Sequence, residues 1–196
     1  ANNFMNVYLK EKCNIETTFV EGKKIEDFEN AIRKNTKLIY LESPSSAVFS
    51  LQNIKQVVAL AKKHNIKTII DNTWATPIFQ RPLEMGIDLE VHSCSKYFGG
   101  HSDIVAGVVV GKEEDIKSIF DREHAFLGAK MSPFEAWLIL RSLRTLKVRM
   151  MQHQENALAV AKYLSNHPKV KKVMYPGLEN FDQYDLAKEQ MKGFSG

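Results

Sequence analysis

Cysteine is scarce in this sequence, and long apolar runs are absent from it. Only Cys13 and Cys94 occur among the 196 residues, which excludes a disulfide framework and offers no paired zinc ligands at regular spacing. The apolar run at residues 104–110 is far shorter than the roughly 18 residues that a membrane-spanning helix needs. We therefore expect no membrane span, and the sparing use of cysteine favours a cytoplasmic location.

The sequence also lacks a block of one charge, an internal repeat and a low-complexity tract. Its 27 basic and 23 acidic residues are interspersed and give a net charge of +4, so nucleic acid is not predicted as a partner. The first residues, Ala-Asn-Asn-Phe, have neither the basic and apolar regions of a signal peptide nor a transit-peptide pattern. No export signal is therefore expected.

Short β-branched runs alternate with amphipathic segments over the first 110 residues. Strands are predicted at residues 15–20, 37–41, 67–70, 88–92 and 104–110, and the last of these reads as buried on both faces. Apolar residues at helical spacing predict helices that include Ile25, Phe28 and Ile32 and then residues 54–61. This alternation is typical of an α/β fold in which helices flank a mainly parallel sheet.

Helical spacing dominates the remainder of the chain. Ser132 is a predicted N-cap, followed by Pro133 at the first helical position and Glu135 in the capping-box position. The pattern then continues to residue 167 as one long helix, and a short strand is predicted at residues 170–174. We expect three parts: a cofactor domain at 1–131, a connecting helix at 132–167, and the start of a small C-terminal domain at 168–196.

The chemically informative residues follow two predicted strands. Asp71 ends one strand, and Ser93, Ser95 and Lys96 follow the next, so parallel pairing would bring them to one edge of the sheet. An amine, a carboxylate and two hydroxyls suit pyridoxal phosphate. The amine can form a Schiff base with its aldehyde, the hydroxyls can bind its phosphate, and the carboxylate can keep its ring nitrogen protonated.

Other interpretations of the same stretch are weaker. His92 and His101 could be metal ligands, but no third ligand stands at regular spacing. Cys94 could be a nucleophile, although it has no paired base in the sequence. The Gly-Gly pair at 99–100 lacks the spacing of a nucleotide-binding loop. A non-catalytic protein that keeps the fold as an interaction surface is the alternative from another class.

Four motifs carry a resemblance to a known family. They are DNTWATP at 71–77, HSCSKY at 92–97, GHSD at 100–103 and RSLRTL at 141–146. Together they resemble the signatures of the transsulfuration, or Cys/Met metabolism, family of pyridoxal-phosphate-dependent enzymes, and a looser similarity extends from Phe4 to Gly196.

The resemblance implies a role for each matching residue. Lys96 would be the Schiff-base lysine and proton shuttle, and Asp71 the partner of the ring nitrogen. Ser93 and Ser95 would bind the phosphate, and Thr73 would neighbour the ring. The resemblance further implies an aspartate-aminotransferase-like large domain with a seven-stranded, mainly parallel sheet, and a homodimer or homotetramer with shared active sites.

One departure from the family pattern bears on the reaction. Many members have Asn-Pro after the strand that matches residues 38–42, whereas this chain has Ser-Ser-Ala at 45–47, which makes Ser46 the candidate substrate ligand. The segment 42–46, with Trp74 and the final Gly-Phe-Ser-Gly, is more similar to bacterial cystathionine β-lyases. We therefore expect β-elimination of cystathionine, with γ-lyase, γ-synthase, methionine γ-lyase and acylhomoserine sulfhydrylase as alternatives.

The resemblance places other parts of the family's active centre outside these 196 residues. They are an aromatic residue that stacks on the cofactor ring, a glycine-containing phosphate loop and an arginine for the substrate carboxylate. We accordingly expect a chain truncated at both ends that is inactive on its own.

Overall fold

A four-stranded mixed sheet forms the centre of the molecule. The computed structural model describes residues 3–128 and 130–196. The strands are β1 (Leu38–Glu42), β2 (Lys67–Asp71), β3 (Leu89–Ser93) and β4 (Gly107–Gly111), in the spatial order β1-β2-β3-β4. The first three strands run parallel and β4 pairs antiparallel to β3. The predicted α/β class is confirmed.

Helices of very different lengths make up much of the described chain outside the sheet. In chain order they are α1 (Lys10–Cys13), α2 (Ile25–Ala31), α3 (Ile54–Lys63), α4 (Thr76–Phe79), α5 (Glu113–Ile119), α6 (Ala125–Leu127), α7 (Pro133–Leu143), α8 (Leu146–Ser165) and α9 (Tyr184–Gln190). Wider π-helical turns occur at Phe4–Leu9, Cys94–Phe98 and Phe120–His124, and a 3-10 turn at Pro82–Met85. None of the helices described is both long and apolar enough to cross a lipid bilayer.

The sheet register follows from the apolar stripes of the sequence. Helix α3 begins where the Asn53 side chain accepts a hydrogen bond from the Gln56 amide at 3.1 Å, and it buries one apolar face against β1 and β2. In the resulting register Glu42 of β1 pairs with Asp71 of β2. Two carboxylates therefore end neighbouring strands at the same edge of the sheet.

A second apolar cluster joins the C-terminal part of the chain to the sheet domain. Leu51 and Phe79 pack there with Met150 of α8 and Met191, just beyond α9. Gln183 reinforces the contact, because its side-chain amide both donates to and accepts from the Leu51 backbone at 2.8 Å. The last described residues are thus anchored beside the carboxyl edge of the sheet.

The strands predicted at 15–20 and 170–174 are wrong. Both stretches lack regular secondary structure. Their β-branched residues favour extended backbone, but a strand also needs a hydrogen-bonded neighbour. No other strand pairs with either stretch in the described part of the chain.

The run at 104–110 forms a shorter strand than predicted, and it is not buried on both faces. Strand β4 starts only at Gly107, and Val109 and Val110 are each 41% exposed. It lies at an edge of the sheet and runs antiparallel, so its continuous apolar sequence does not reflect a central position.

The long helix predicted from 132 to 167 is two helices. Its start is as predicted: the Ser132 hydroxyl accepts from the Glu135 amide at 3.2 Å, and the Glu135 carboxylate accepts from the Ser132 amide at 3.1 Å. The break follows Leu143, where the Ser142 carbonyl accepts from the amide and the hydroxyl of Thr145, each at 3.0 Å. These local bonds replace the helical pattern, and the apolar spacing alone does not reveal them.

Candidate active site

A cleft of about 490 Å³ opens at the carboxyl edge of the parallel strands. Six residues singled out from the sequence line it: Ser46, Asp71, Thr73, Ser93, Ser95 and Lys96. The structure therefore brings together all of the candidate site residues at the position where open α/β sheets bind ligands.

Hydrogen bonds fix the strand ends that carry Asp71 and Ser93. Asp71 Oδ1 accepts a hydrogen bond from the Thr73 amide at 2.9 Å. The Thr73 hydroxyl in turn accepts one from the Ser93 amide at 2.8 Å. Thr73 therefore ties the end of β2 to the end of β3, which restricts the positions of the carboxylate and the serine.

Tyr40 is a further neighbour of Asp71 that sequence reasoning missed. Burial raises the pKa of the Tyr40 phenol, and the charges of Asp71 and Glu42 and a hydrogen bond to Asp71 raise that pKa further. Tyr40 therefore stays protonated and can donate to the Asp71 carboxylate. The alternation of strand side chains, which puts residue 40 on the same face as residue 42, is a signal that could have found it.

Lys96 lies in the π-helical turn Cys94–Phe98, which directly follows β3. The Gly99 amide donates to the Cys94 carbonyl at 2.8 Å, and the Gly100 amide donates to the Lys96 carbonyl at 2.7 Å. Within this turn Lys96 itself has non-helical backbone angles of φ −93° and ψ −122°. The Ser95 hydroxyl accepts from the Ala106 amide at 3.4 Å and keeps its own proton for another acceptor.

Arg149 holds the lysine turn against the junction of α7 and α8. Its guanidinium donates to the Tyr97 carbonyl at 2.6 Å, to the Ser142 carbonyl at 3.0 Å and to the Thr145 hydroxyl at 3.1 Å. Gly100 makes this approach possible, since a Cβ at that position would lie 2.5 Å from the guanidinium. We name this set of three hydrogen bonds the Arg149 clamp.

Replacing Arg149 with methionine is expected to lower the free energy of unfolding by about 2 kcal/mol, because carbonyls that accept from a charged donor lose it. Urea unfolding of the protein measures this change. Lys147→Met, on an exposed position of the same helix, serves as the matched control and should have little effect. Equal losses from the two variants would contradict the clamp.

Ser46, in the loop after β1, is a site candidate whose hydroxyl already donates a hydrogen bond. It donates to Glu42 Oε1 at 2.5 Å, and both residues line the cleft. The loop after β1 adopts left-handed backbone at Ala47 (φ 68°) and Phe49 (φ 55°), and the Ser45 and Ser50 hydroxyls lie 2.7 Å apart. Any substrate contact of Ser46 would therefore be made beside the Glu42 carboxylate.

Several residues that line the cleft were not predicted from the sequence to be site residues, although some of them lie in the motifs that carry the family resemblance. Glu42, Pro44, Trp74, Tyr97, Gly100, Ser102, His153 and Gly196 complete the lining. His153 comes from α8, where its ring meets that of Tyr97 at 5.1 Å between centroids. Nothing in the local sequence marks His153, because only the packing of α8 against the lysine turn brings it to the cleft.

The alternative chemical roles find little support in the geometry. His92 is buried, with Nε2 at 2.7 Å from Glu90 Oε1, and His101 Nδ1 lies 2.8 Å from the Gly99 carbonyl. Cys94 is 1% exposed, and burial raises the pKa of its thiol, which disfavours a reactive thiolate. Among the residues described, no three metal-ligating side chains cluster.

Known proteins resemble this chain in sequence and in fold. It is 49% identical over 179 residues to the L-methionine gamma-lyase of Porphyromonas gingivalis, covering 90% of this chain and 45% of that protein. It is 40% identical over 188 residues to the cystathionine beta-lyase of Coxiella burnetii, covering 95% and 49%. The chain thus spans about half the length of these relatives.

A solved structure agrees over nearly the whole chain. The crystal structure of cystathionine gamma-lyase from Lactobacillus plantarum, complexed with L-serine, superposes with a TM-score of 0.95 at 36% identity, covering 99% of this chain and 51% of that one. The family described as Cys/Met metabolism PLP-dependent enzymes matches residues 1–196. The chain therefore belongs to this family of pyridoxal-phosphate-dependent enzymes.

Proposed function

We propose that this chain carries the reaction centre of a carbon–sulfur lyase that cleaves L-cystathionine by β-elimination to homocysteine, pyruvate and ammonia. One observation carries the proposal: an amine, a carboxylate and two hydroxyls, from Lys96, Asp71, Ser93 and Ser95, line a single cleft. The family is one whose members depend on pyridoxal phosphate.

The residues of the cleft fit that cofactor. Lys96 offers an amine for the aldehyde, and Asp71 offers a carboxylate for a protonated ring nitrogen. Ser93 and Ser95 offer hydroxyls for the phosphate, and the Ser95 proton is not used by the contact with Ala106. The Thr73 amide donates to Asp71 and the Thr73 hydroxyl accepts from the Ser93 amide, and these two hydrogen bonds restrict the position of the carboxylate relative to the serines.

Pyridoxal phosphate, when bound, supplies an electron sink for negative charge at the α-carbon of the substrate. Lys96 Nζ would then accept the α-proton, and the exposure of Lys96 in the cleft leaves its amine accessible for that role. Asp71 holds the proton on the ring nitrogen, and the Tyr40 hydroxyl steadies that carboxylate. Ser93 and Ser95 orient the phosphate, so the lysine meets the same face of the substrate in every turnover.

The choice of β-elimination draws on the loop after β1. The segment at 42–46 is similar to that of bacterial cystathionine β-lyases, and a β-lyase is among the relatives. γ-Elimination of methionine is the second candidate, because the methionine γ-lyase relative is 49% identical. The two reactions give different 2-oxoacids.

Incubating the complete gene product with L-cystathionine is expected to release pyruvate and homocysteine in equal amounts. Chromatography of the 2-oxoacids, with thiol analysis of the same sample, checks this result. Release of 2-oxobutyrate with cysteine would overturn β-elimination and support γ-cleavage. A parallel incubation with L-methionine tests the second candidate, since 2-oxobutyrate and methanethiol would be its products.

The wider organisation of the enzyme is proposed on the family resemblance. We propose a cofactor domain at 1–131, a connecting helical segment at 132–167 and the start of a small domain at 168–196. We also propose a cytoplasmic homodimer or homotetramer that shares its active sites between subunits. Since the chain covers about half the length of its relatives, residues 1–196 alone are proposed not to form a complete active centre.

A further inference from the structure

A group of polar side chains is buried beneath the strand ends that form the cleft. We name this group the buried polar layer and define it by Ser43, Asn72, Gln80, Glu90 and His92. Each member is at most 4% exposed. None of them lines the cleft itself. The function proposed above uses none of these side chains.

The buried polar layer is adjacent in sequence to the cleft residues. Ser43 follows Glu42, Asn72 follows Asp71, and His92 precedes Ser93. Successive side chains of an extended strand point to opposite faces, so one residue of each pair can face the cleft while its neighbour is buried. A shift of a buried member would therefore move a cleft residue with it.

Glu90 lies at the centre of the layer. Its Oε1 accepts a hydrogen bond from Asn72 Nδ2 at 2.7 Å and lies 2.7 Å from His92 Nε2. Gln80 Nε2 donates to Asn72 Oδ1 at 3.0 Å and to the Ser43 carbonyl at 2.9 Å. The ends of β1, β2 and β3 are thus joined by side chains as well as by backbone pairing.

The layer also contacts the turn that holds Lys96. The ring of His92 stacks on that of Phe98, with 4.6 Å between centroids and 24° between planes. Phe98 is the last residue of the Cys94–Phe98 turn. One connected set of buried groups therefore adjoins the carboxylate, the serine and the lysine of the candidate site.

Folding alone does not account for this arrangement. His92 Nδ1 and Gln80 Oε1 are buried with no hydrogen-bond partner among the described residues, and such atoms lower stability. A buried carboxylate and imidazole also lose their hydration, and apolar side chains could often fill the same space at less cost. Directional hydrogen bonds, in contrast, permit few relative positions of the groups that they join.

We propose that the buried polar layer is a positioning device that sets the relative orientation of Asp71, Ser93 and Lys96 toward the cofactor. The inference rests on the proposed function for the identity of the cleft. Its members are positioning residues, because they act through neighbours that line the cleft. The layer should consequently affect how the cofactor is held more than whether the chain folds.

The experiment compares Glu90→Gln and Gln80→Met with Thr68→Val in the cofactor-loaded gene product. Glu90→Gln keeps the shape and replaces one carboxyl oxygen by an amide donor, whereas Gln80→Met removes both hydrogen bonds donated by the Gln80 amide at similar volume. Thr68 is the matched control, since its buried hydroxyl bonds Asp88 at 2.8 Å near the opposite end of β2. Visible circular dichroism of the bound cofactor, kcat, KM and thermal stability are measured for each variant.

We expect both layer variants to change the visible circular dichroism and to lower kcat by about 10-fold or more, with a smaller change in KM. Thr68→Val should lower the thermal stability without changing the visible circular dichroism or kcat. Layer variants that match the control in dichroism and kcat would overturn the positioning role. A wild-type protein that binds the cofactor but does not cleave cystathionine would overturn the proposed reaction instead, and the dichroism comparison would still decide the role of the layer.

Discussion

Lys96→Ala is expected to remove the covalently held cofactor and to lower elimination activity by about 10⁴-fold or more. The reason is that one amine performs two tasks, covalent attachment and transfer of the α-proton, and no other side chain replaces it. Lys96 is the one lysine among the residues that line the cleft. The visible absorbance of the purified protein and its turnover of cystathionine measure the two losses separately.

Lys62→Ala provides the control for this variant. Lys62 lies exposed on α3, away from the carboxyl edge of the sheet. The substitution removes the same type of side chain as Lys96→Ala does. It should leave absorbance and turnover essentially unchanged. Similar losses from both variants would remove the reason for assigning the cofactor to Lys96.

Asp71→Asn is expected to keep the bound cofactor but to lower turnover by roughly 10- to 1000-fold. An opposite charge close to a titrating group, here the ring nitrogen of the cofactor, shifts its pKa by about 1–3 in favour of the charged form. A neutral amide at residue 71 lacks this stabilising charge. Asn is nearly isosteric, so the amide–carbonyl contact with Thr73 can persist and the fold should be retained. Absorbance spectra and steady-state kinetics of the same preparation separate binding from chemistry.

Asp88→Asn is the matched control for that substitution. Asp88 lies just before β3 and accepts two hydrogen bonds from Thr68 at 2.8 Å, far from the cleft lining. We expect it to reduce stability with little effect on kcat. Near-normal turnover of the Asp71→Asn enzyme would contradict a role of Asp71 at the ring nitrogen. Asp71 would then have only a structural role at the end of β2.

The location of the candidate site could be predicted because it depends on strand ends. Asp71 and the segment with Ser93 and Lys96 each lie at the carboxyl end of a predicted strand, and parallel pairing brings such ends to one edge of the sheet. The alternation of strand and helix patterns predicts this parallel pairing without knowledge of any particular side-chain contact. For the same reason, the predicted strands at 67–70 and 88–92 agree with β2 and β3 to within one residue at each end.

The parts that could not be predicted depend on contacts between distant residues. Arg149 reaches the Tyr97 carbonyl across 52 positions, and His153 enters the cleft from the same helix. The exposure of β4 at the edge of the sheet and the lack of a strand at 15–20 also depend on which strands lie beside these segments in the described part of the chain. Local apolar periodicity carries no information about such neighbours.

We propose that pyridoxal phosphate is bound covalently through Lys96 in this cleft. The most direct test is borohydride reduction of the cofactor-loaded protein, followed by proteolysis and peptide mass spectrometry. We expect a reduced pyridoxyl group on the ε-amine of Lys96, with Lys62 and the other lysines unmodified. A pyridoxyl group fixed to a different lysine, or cofactor lost completely after reduction, would contradict it.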